Sequence, residues 1–148
     1  MTLQKDFPAI VECATRAPSG HNTQPWLFTL NADAITISPD FRKRLPVVDP
    51  ADRELFISLG CAAENLRIAA SHYGYASTTA VNPTGAITVS LTPAPSARLD
   101  PLFAQIPRRQ TNRALYDGRA IPQALLDDIL ASATSDGVHL RVWDKNAP

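Results

Sequence analysis

Phe7, Ile10, Val11 and Ala14 recur at the spacing of one helical face, with Asp6 placed to cap that helix and Pro8 in its first turn. Pro18 closes it, because the residue before a proline is pushed out of the helical region. The pattern then changes period. Trp26 to Leu30 and Ile35 to Ser38 read as two short strands around the turn Asn31-Ala32-Asp33, a hairpin. A basic, proline-punctuated connection runs from Pro39 to Pro50, where Asp49-Pro50 supplies a cap and a first-turn proline for a long helix. Along it Leu55, Leu59, Ala62, Leu66, Ala69 and Tyr73 hold one stripe. Phe56, Ile57, Ala63 and Ile68 add apolar surface elsewhere, which predicts a central helix covered on more than one side. Gly74 stops it, and Ala76 to Val81 and Ala86 to Leu91 form strands about the turn Asn82-Pro83-Thr84-Gly85. Beyond Pro93 and Pro95, Leu99 to Ile106 reads as a short helical segment and Pro107 to Tyr116 as polar. Pro122 opens a helix carrying Leu125, Leu126, Ile129, Leu130 and Ala133, and Val138, Leu140 and Val142 alternate as a final strand.

This order is α+β rather than a regular βαβ alternation, which disfavours a Rossmann fold. The last strand has no visible partners, so the chain is expected to be truncated, a fragment of a longer protein. Phe7 to Leu30 and Pro122 to Trp143 both read helix, polar loop, strand, and Ile10-x-x-x-Ala14-Thr15 resembles Ile129-x-x-x-Ala133-Thr134. Two such units suit a duplicated fold; the alternative is the chance likeness of two amphipathic helices.

Composition narrows the function. Of 148 residues 45% are hydrophobic and 19% charged, with 14 basic against 14 acidic side chains, a globular balance without the charge excess of a disordered chain. The densest basic clusters, Arg42-Lys43-Arg44 and Arg108, Arg109 and Arg113, are too short for a nucleic-acid or membrane-binding stripe. No apolar run approaches a membrane helix and Met1 to Pro8 has no signal-peptide core, so a cytoplasmic location is expected. Cys13 and Cys61 lie far apart in predicted helices and read as buried free thiols, not as a disulfide or a zinc site. His21, His72 and His139 show no ligand spacing, and no metal is expected. His21 has no carboxylate or nucleophile spaced to work with it, so no side chain is nominated as acid or base.

Two segments can carry chemistry. In Ala17-Pro18-Ser19-Gly20-His21-Asn22-Thr23-Gln24-Pro25-Trp26, Ser19 and Asn22 can hydrogen-bond the carbonyls and ring nitrogens of a flat heteroaromatic ligand. Gly20 permits close backbone approach, and the prolines stiffen the loop. The plainer alternative is an ordinary connection, with Ser19 and Asn22 in local turns and Trp26 anchoring a strand. In Arg108-Arg109-Gln110-Thr111-Asn112-Arg113, guanidinium forks and a hydroxyl match the oxygens of a phosphate monoester; a solvated basic loop is the alternative.

Together these segments resemble the FMN-dependent nitroreductase family. Its A-P-S-x-x-N-x-Q-P-W segment is present in full from Ala17 to Trp26, and its R-x-S/T-x-R phosphate element is matched by Arg109, Thr111 and Arg113. Gly60-Cys61-Ala62-Ala63-Glu64-Asn65-Leu66 and Gly74-Tyr75 are similar to its central helix. The arginine element ordinarily precedes the A-P-S segment, whereas here it comes only before the second helix-loop-strand unit, an order that resembles the fused two-lobe, Acg-like branch. The resemblance implies a nitroreductase-like α+β fold with a mixed or antiparallel sheet and helices around a long central one. It implies a first lobe over residues 1–106 and the start of a second over 107–148, this chain being the N-terminal part. FMN would lie between lobes, as it lies between subunits of the family's dimers, so a homodimer or pseudo-dimer is implied. Arg109, Thr111 and Arg113 would hold its phosphate, Ser19 and Asn22 would touch the isoalloxazine edge, and Pro18 and Gly20 would shape the loop. The implied activity is an NAD(P)H oxidoreductase passing hydride through the flavin to a nitroaromatic, quinone or similar small-molecule acceptor. A flavin-sequestering protein with little turnover is the alternative.

Overall fold

The computed structural model describes residues 5–94, 100–132 and 140–142. Two compact units divide the chain, one ending at Thr111 and the other beginning at Asn112. In the first, α1 (Phe7–Thr15) leads to β1 (Trp26–Leu30) and β2 (Ala34–Pro39), then α2 (Arg53–His72), β3 (Tyr75–Val81) and β4 (Ile87–Pro93). Short 3-10 turns lie at Gly20–Asn22, Phe41–Lys43 and Pro101–Gln105. Each hairpin forms as its turn residues predict. In the second, Asn82 Oδ1 accepts the Thr84 N–H, the Thr84 hydroxyl and the Ala86 N–H, while Gly85 takes φ +80°, which only glycine adopts without strain. The hairpins join through β2 and β4, with Ile37 opposite Ile87 and Ala34 opposite Ser90, giving one wholly antiparallel sheet in the order β1-β2-β4-β3.

Alternation decides which face is covered. Ile35 and Ile37 of β2 and Val89 and Leu91 of β4 are buried, whereas Thr36 and Thr88, pointing the other way, share a hydroxyl contact of 3.2 Å. On the buried face lies α2 with Leu55, Leu59, Ala62, Leu66 and Ala69, and α1 adds Phe7, Ile10 and Ala14 to the same core. The architecture of this unit is α+β, with α1 and the sheet packed against the long α2.

Several expectations need correction. The long helix starts at Arg53, not at Asp49-Pro50, because Asp52 turns into the left-handed region (φ 56°) and its carboxylate goes to Arg44 instead of the helix amides. Asp49 still serves the helix end, since its Oδ2 accepts the Leu55 N–H at 3.0 Å. The Asp6 side chain likewise makes no capping bond to α1; it accepts the Tyr75 hydroxyl at 3.2 Å. Of the apolar residues predicted to cover α2 on a further side, Ala63 and Ile68 are buried, but Phe56 and Ile57 are open, 37% and 49% exposed. Cys13 and Cys61 are free but only half-buried. In the second unit α3 (Gln123–Ser132) forms after Pro122, but no described residue of it is buried. Leu140 and Val142 are not in a strand; Ala133, Val138 and Trp143 lie outside the described residues.

Candidate functional site

The segment from Ala17 to Trp26 leaves α1 and enters β1, and its ends are fixed by burial of Ala17, Pro25 and Trp26. Between them the backbone is bent sharply. His21, Asn22 and Gln24 take φ 50°, 57° and 49°, a left-handed conformation that costs each non-glycine residue about 1–2 kcal/mol. Hydrogen bonds hold it there. The Ser19 Oγ accepts the Gln24 N–H at 3.0 Å, the Thr23 hydroxyl donates to the Gly20 carbonyl at 3.0 Å, and the Gln24 side-chain amide donates to the Thr15 carbonyl at 3.4 Å. Two tethers come from elsewhere: the Gly20 N–H donates to Ser58 Oγ of α2 at 3.2 Å, and Lys43 Nζ donates to the Gln24 carbonyl at 3.1 Å. Pro18, His21 and Asn22 stand exposed on this braced frame, with Ser19 and Gly20 half-buried. Because Ser19 is bonded as an acceptor, its hydroxyl hydrogen remains available to donate. A Cβ on Gly20 would come within 3.1 Å of a Glu54 carboxylate oxygen, the end of an exposed side chain that can swing aside.

The arginine element reaches the same place. After the 3-10 turn at Pro101–Gln105, the Arg108 and Arg109 N–H groups both donate to the Gln105 carbonyl, at 3.0 and 2.8 Å. From there Arg109 Nη2 donates to the Arg16 carbonyl at 3.3 Å and Nη1 to the Thr111 hydroxyl at 3.4 Å. Arg16 immediately precedes Ala17, so residues 93 positions apart meet at the mouth of the loop. A guanidinium carries five donors, and these two bonds leave others for an anion. Pro18, Ser19, Gly20, Asn22, Arg109 and Thr111 therefore belong to one unit, whereas Arg113 is exposed in the second.

The other basic cluster is already neutralised. Arg42 grips Asp40 through two bonds of 2.8 and 2.9 Å, and Arg44 pairs with both carboxylate oxygens of Asp52. The Arg42 guanidinium holds the Asp40 carboxyl below the usual carboxylate range. That leaves Lys43, which braces the loop. Burial, helped by the charge of Glu12, pushes the Cys13 thiol up, so it stays protonated at neutral pH and is a poor nucleophile. Among the described residues no group of three His, Cys, Asp or Glu side chains is placed to hold a metal, and no helix is long and apolar enough to cross a membrane.

Ser58 supports the site without having been singled out in the sequence, although a signal exists: it is a polar residue within the apolar stripe that runs Leu55, Leu59, Ala62, and it is buried. Gln24 lies in the Ala17 to Trp26 motif and Lys43 in a basic cluster, but the bracing role of each is not readable there, because their partners are backbone carbonyls set by the fold.

No family model matches the chain. Two curated proteins from two strains of Mycobacterium tuberculosis, each named "Putative NAD(P)H nitroreductase", are 30% identical to it over 138 residues, covering 89% of this chain and 40% of theirs. The chain thus spans about two-fifths of the length of these relatives. Among solved structures, a nitroreductase family protein from Streptococcus pneumoniae aligns at TM-score 0.49 and 15% identity over 84% of this chain and 87% of that one. A nitroreductase-like protein from Streptococcus mutans aligns at TM-score 0.47 and 16% identity over 78% and 86%. The likeness is thus to proteins named as nitroreductases, over part of their length.

Proposed function

We propose, on the likeness to the two curated NAD(P)H nitroreductases, that this chain contributes the flavin-holding part of an FMN-dependent NAD(P)H oxidoreductase of nitroreductase type. One observation supports the assignment of residues: Arg109, which holds the Thr111 hydroxyl, also bonds the Arg16 carbonyl, at the entrance of the loop that bears Ser19 and Asn22. A phosphate-matching fork then lies beside donors suited to a planar ring. The donor set fits FMN, a phosphate monoester attached to a flat heteroaromatic ring. Arg109, Thr111 and Arg113 would hold the phosphate; Ser19 and Asn22 would bond the ring edge; Pro18 and Gly20 would shape the loop. Bound there, FMN would supply two-electron chemistry between NAD(P)H and a nitroaromatic, quinone or similar acceptor.

The chain's own residues bind and orient. The left-handed turns at His21, Asn22 and Gln24 are held by hydrogen bonds within the chain, which would keep the ordering cost at binding small. The test is the visible spectrum after gel filtration with FMN, on the chain as given and on the chain extended past Pro148, followed by NAD(P)H. A retained flavin band on either, bleached rapidly by NAD(P)H, supports the enzyme. A band that keeps its colour under excess nicotinamide favours sequestration, and no band on either overturns the reading.

A further inference from the structure

Arg109 is exposed and near the end of a connecting segment, yet its backbone is fixed, and the cause lies at the far end of α2. His72, in the last turn of that helix, stacks on Phe103 with ring centroids 3.7 Å apart and planes within 7°. Tyr73 meets the same Phe103 ring edge-on at 6.5 Å and the His72 ring at 5.5 Å. Phe103 is the middle residue of the 3-10 turn at Pro101–Gln105, whose start is capped by Asp100 through the Leu102 N–H at 2.8 Å. That turn ends in the Gln105 carbonyl that receives both the Arg108 and the Arg109 amides. An unbroken series of contacts thus runs from the His72 ring to the Arg109 guanidinium.

The other end of that guanidinium's reach is fixed from α2 as well. Asn65 Nδ2 donates to the Cys13 carbonyl at 3.3 Å, tying the last turn of α1 to the central helix, and Arg109 then bonds the Arg16 carbonyl just beyond it. Donor and acceptor are each referenced to one rigid element. The turn is also held by Phe103 packing against the core beside Tyr73 and by Ile106, 6% exposed, so the stack adds position to an anchored turn.

We propose that the stacked pair His72 and Phe103 is a positioning device that sets where the Arg109 guanidinium stands, and so selects flavin that carries a phosphate over flavin that does not. The proposal rests on the reading of Arg109 as a phosphate ligand. Neither ring touches the ligand; they act through the Gln105 carbonyl.

The test compares FMN with riboflavin, which share the ring and differ in the phosphate. His72→Ala removes an exposed ring without opening the core; it lowers FMN affinity about fivefold and leaves riboflavin affinity within about twofold, because an aromatic pair is worth that order of energy. His72→Phe restores the stack and the FMN affinity. Equal losses for both flavins in His72→Ala, or no rescue by His72→Phe, overturn the positioning role. Amide hydrogen exchange reads the device without any ligand: His72→Ala speeds exchange at Arg108 and Arg109 but not in β2 and β4, and unchanged exchange at those two amides also overturns it. Arg109→Ala separates the two claims. If it leaves the FMN to riboflavin ratio unchanged, the phosphate reading fails, whatever the exchange data say of the stack.

Discussion

Ser58→Ala asks whether the bent shape of the Ala17–Trp26 loop matters to binding or only to folding. Ser58 is 3% exposed, receives the Gly20 N–H at 3.2 Å and donates to the Glu54 carbonyl at 2.7 Å. The bond to Glu54 runs back along its own helix and its loss costs little, while alanine is the better helix former by a few tenths of a kcal/mol. The bond from Gly20 contributes about 1 kcal/mol, the usual net value and no more, because that amide is half-buried and water can replace the hydroxyl. Net destabilisation is about 0.5–1 kcal/mol, a Tm drop of roughly 2–5 °C. Binding should suffer more in proportion. Three left-handed residues store several kcal/mol of backbone strain, and releasing one of the five tethers lets other loop shapes compete. Losing about 1 kcal/mol of preorganisation lowers FMN affinity about fivefold. Quenching of flavin fluorescence measures the affinity and a thermal melt the stability. An FMN affinity within about twofold of wild type, alongside the expected melt, would refute the preorganised loop. A destabilisation above about 3 kcal/mol would show instead that Ser58 is needed for the core.

Three further outcomes follow from the geometry. On the proposed role of Arg113, Arg113→Ala should lower FMN affinity about tenfold to a hundredfold, the worth of a charge-assisted phosphate contact; unchanged affinity removes Arg113 from the site. Gly85→Ala forces a side chain into φ +80° and places its Cβ 2.2 Å from the Phe56 ring, costing about 2–3 kcal/mol by urea denaturation, but only about 1–2 kcal/mol when Phe56 is also alanine. Equal costs in the two backgrounds would exclude the clash. Asp40 has its pKa depressed by Arg42, so its contribution is complete above the ordinary carboxylate pKa and is lost as pH falls through the lower, folded value. Asp40→Asn should therefore flatten the loss of stability as pH falls below the ordinary aspartate value of about 3.9, and an unaltered slope would assign the acid sensitivity to other groups.

What the sequence made legible is what neighbours in the chain decide. The turns at Asn31-Ala32-Asp33 and Asn82 to Gly85, the stripe of α2 and its stop at Gly74 all follow from local rules. The beginning of α2 does not, because Asp49 and Asp52 are both acceptable caps and only the distant Arg44 settles which carboxylate is free to serve the amides. The left-handed turns at His21, Asn22 and Gln24 are equally silent, since no glycine marks them. Of the candidate site, the residue types were readable in two separate segments. Their meeting through Arg16 and Arg109 was not, as a bond from a side chain to a remote backbone carbonyl leaves no trace in residue type.

The sheet order has a kinetic consequence. Both β1 with β2 and β3 with β4 are closed by short turns and can form within microseconds, whereas β2 and β4 meet only when Ile37 finds Ile87, about fifty residues away across α2. Closing that span costs about 3.5 kcal/mol of chain entropy before any pairing rewards it. The seam between the two hairpins, with α2 laid over it, is then the rate-setting step: mutations in the Asn82–Gly85 turn, closed before it, should mainly slow refolding, while those in the Ile35–Val89 layer should divide between slower refolding and faster unfolding.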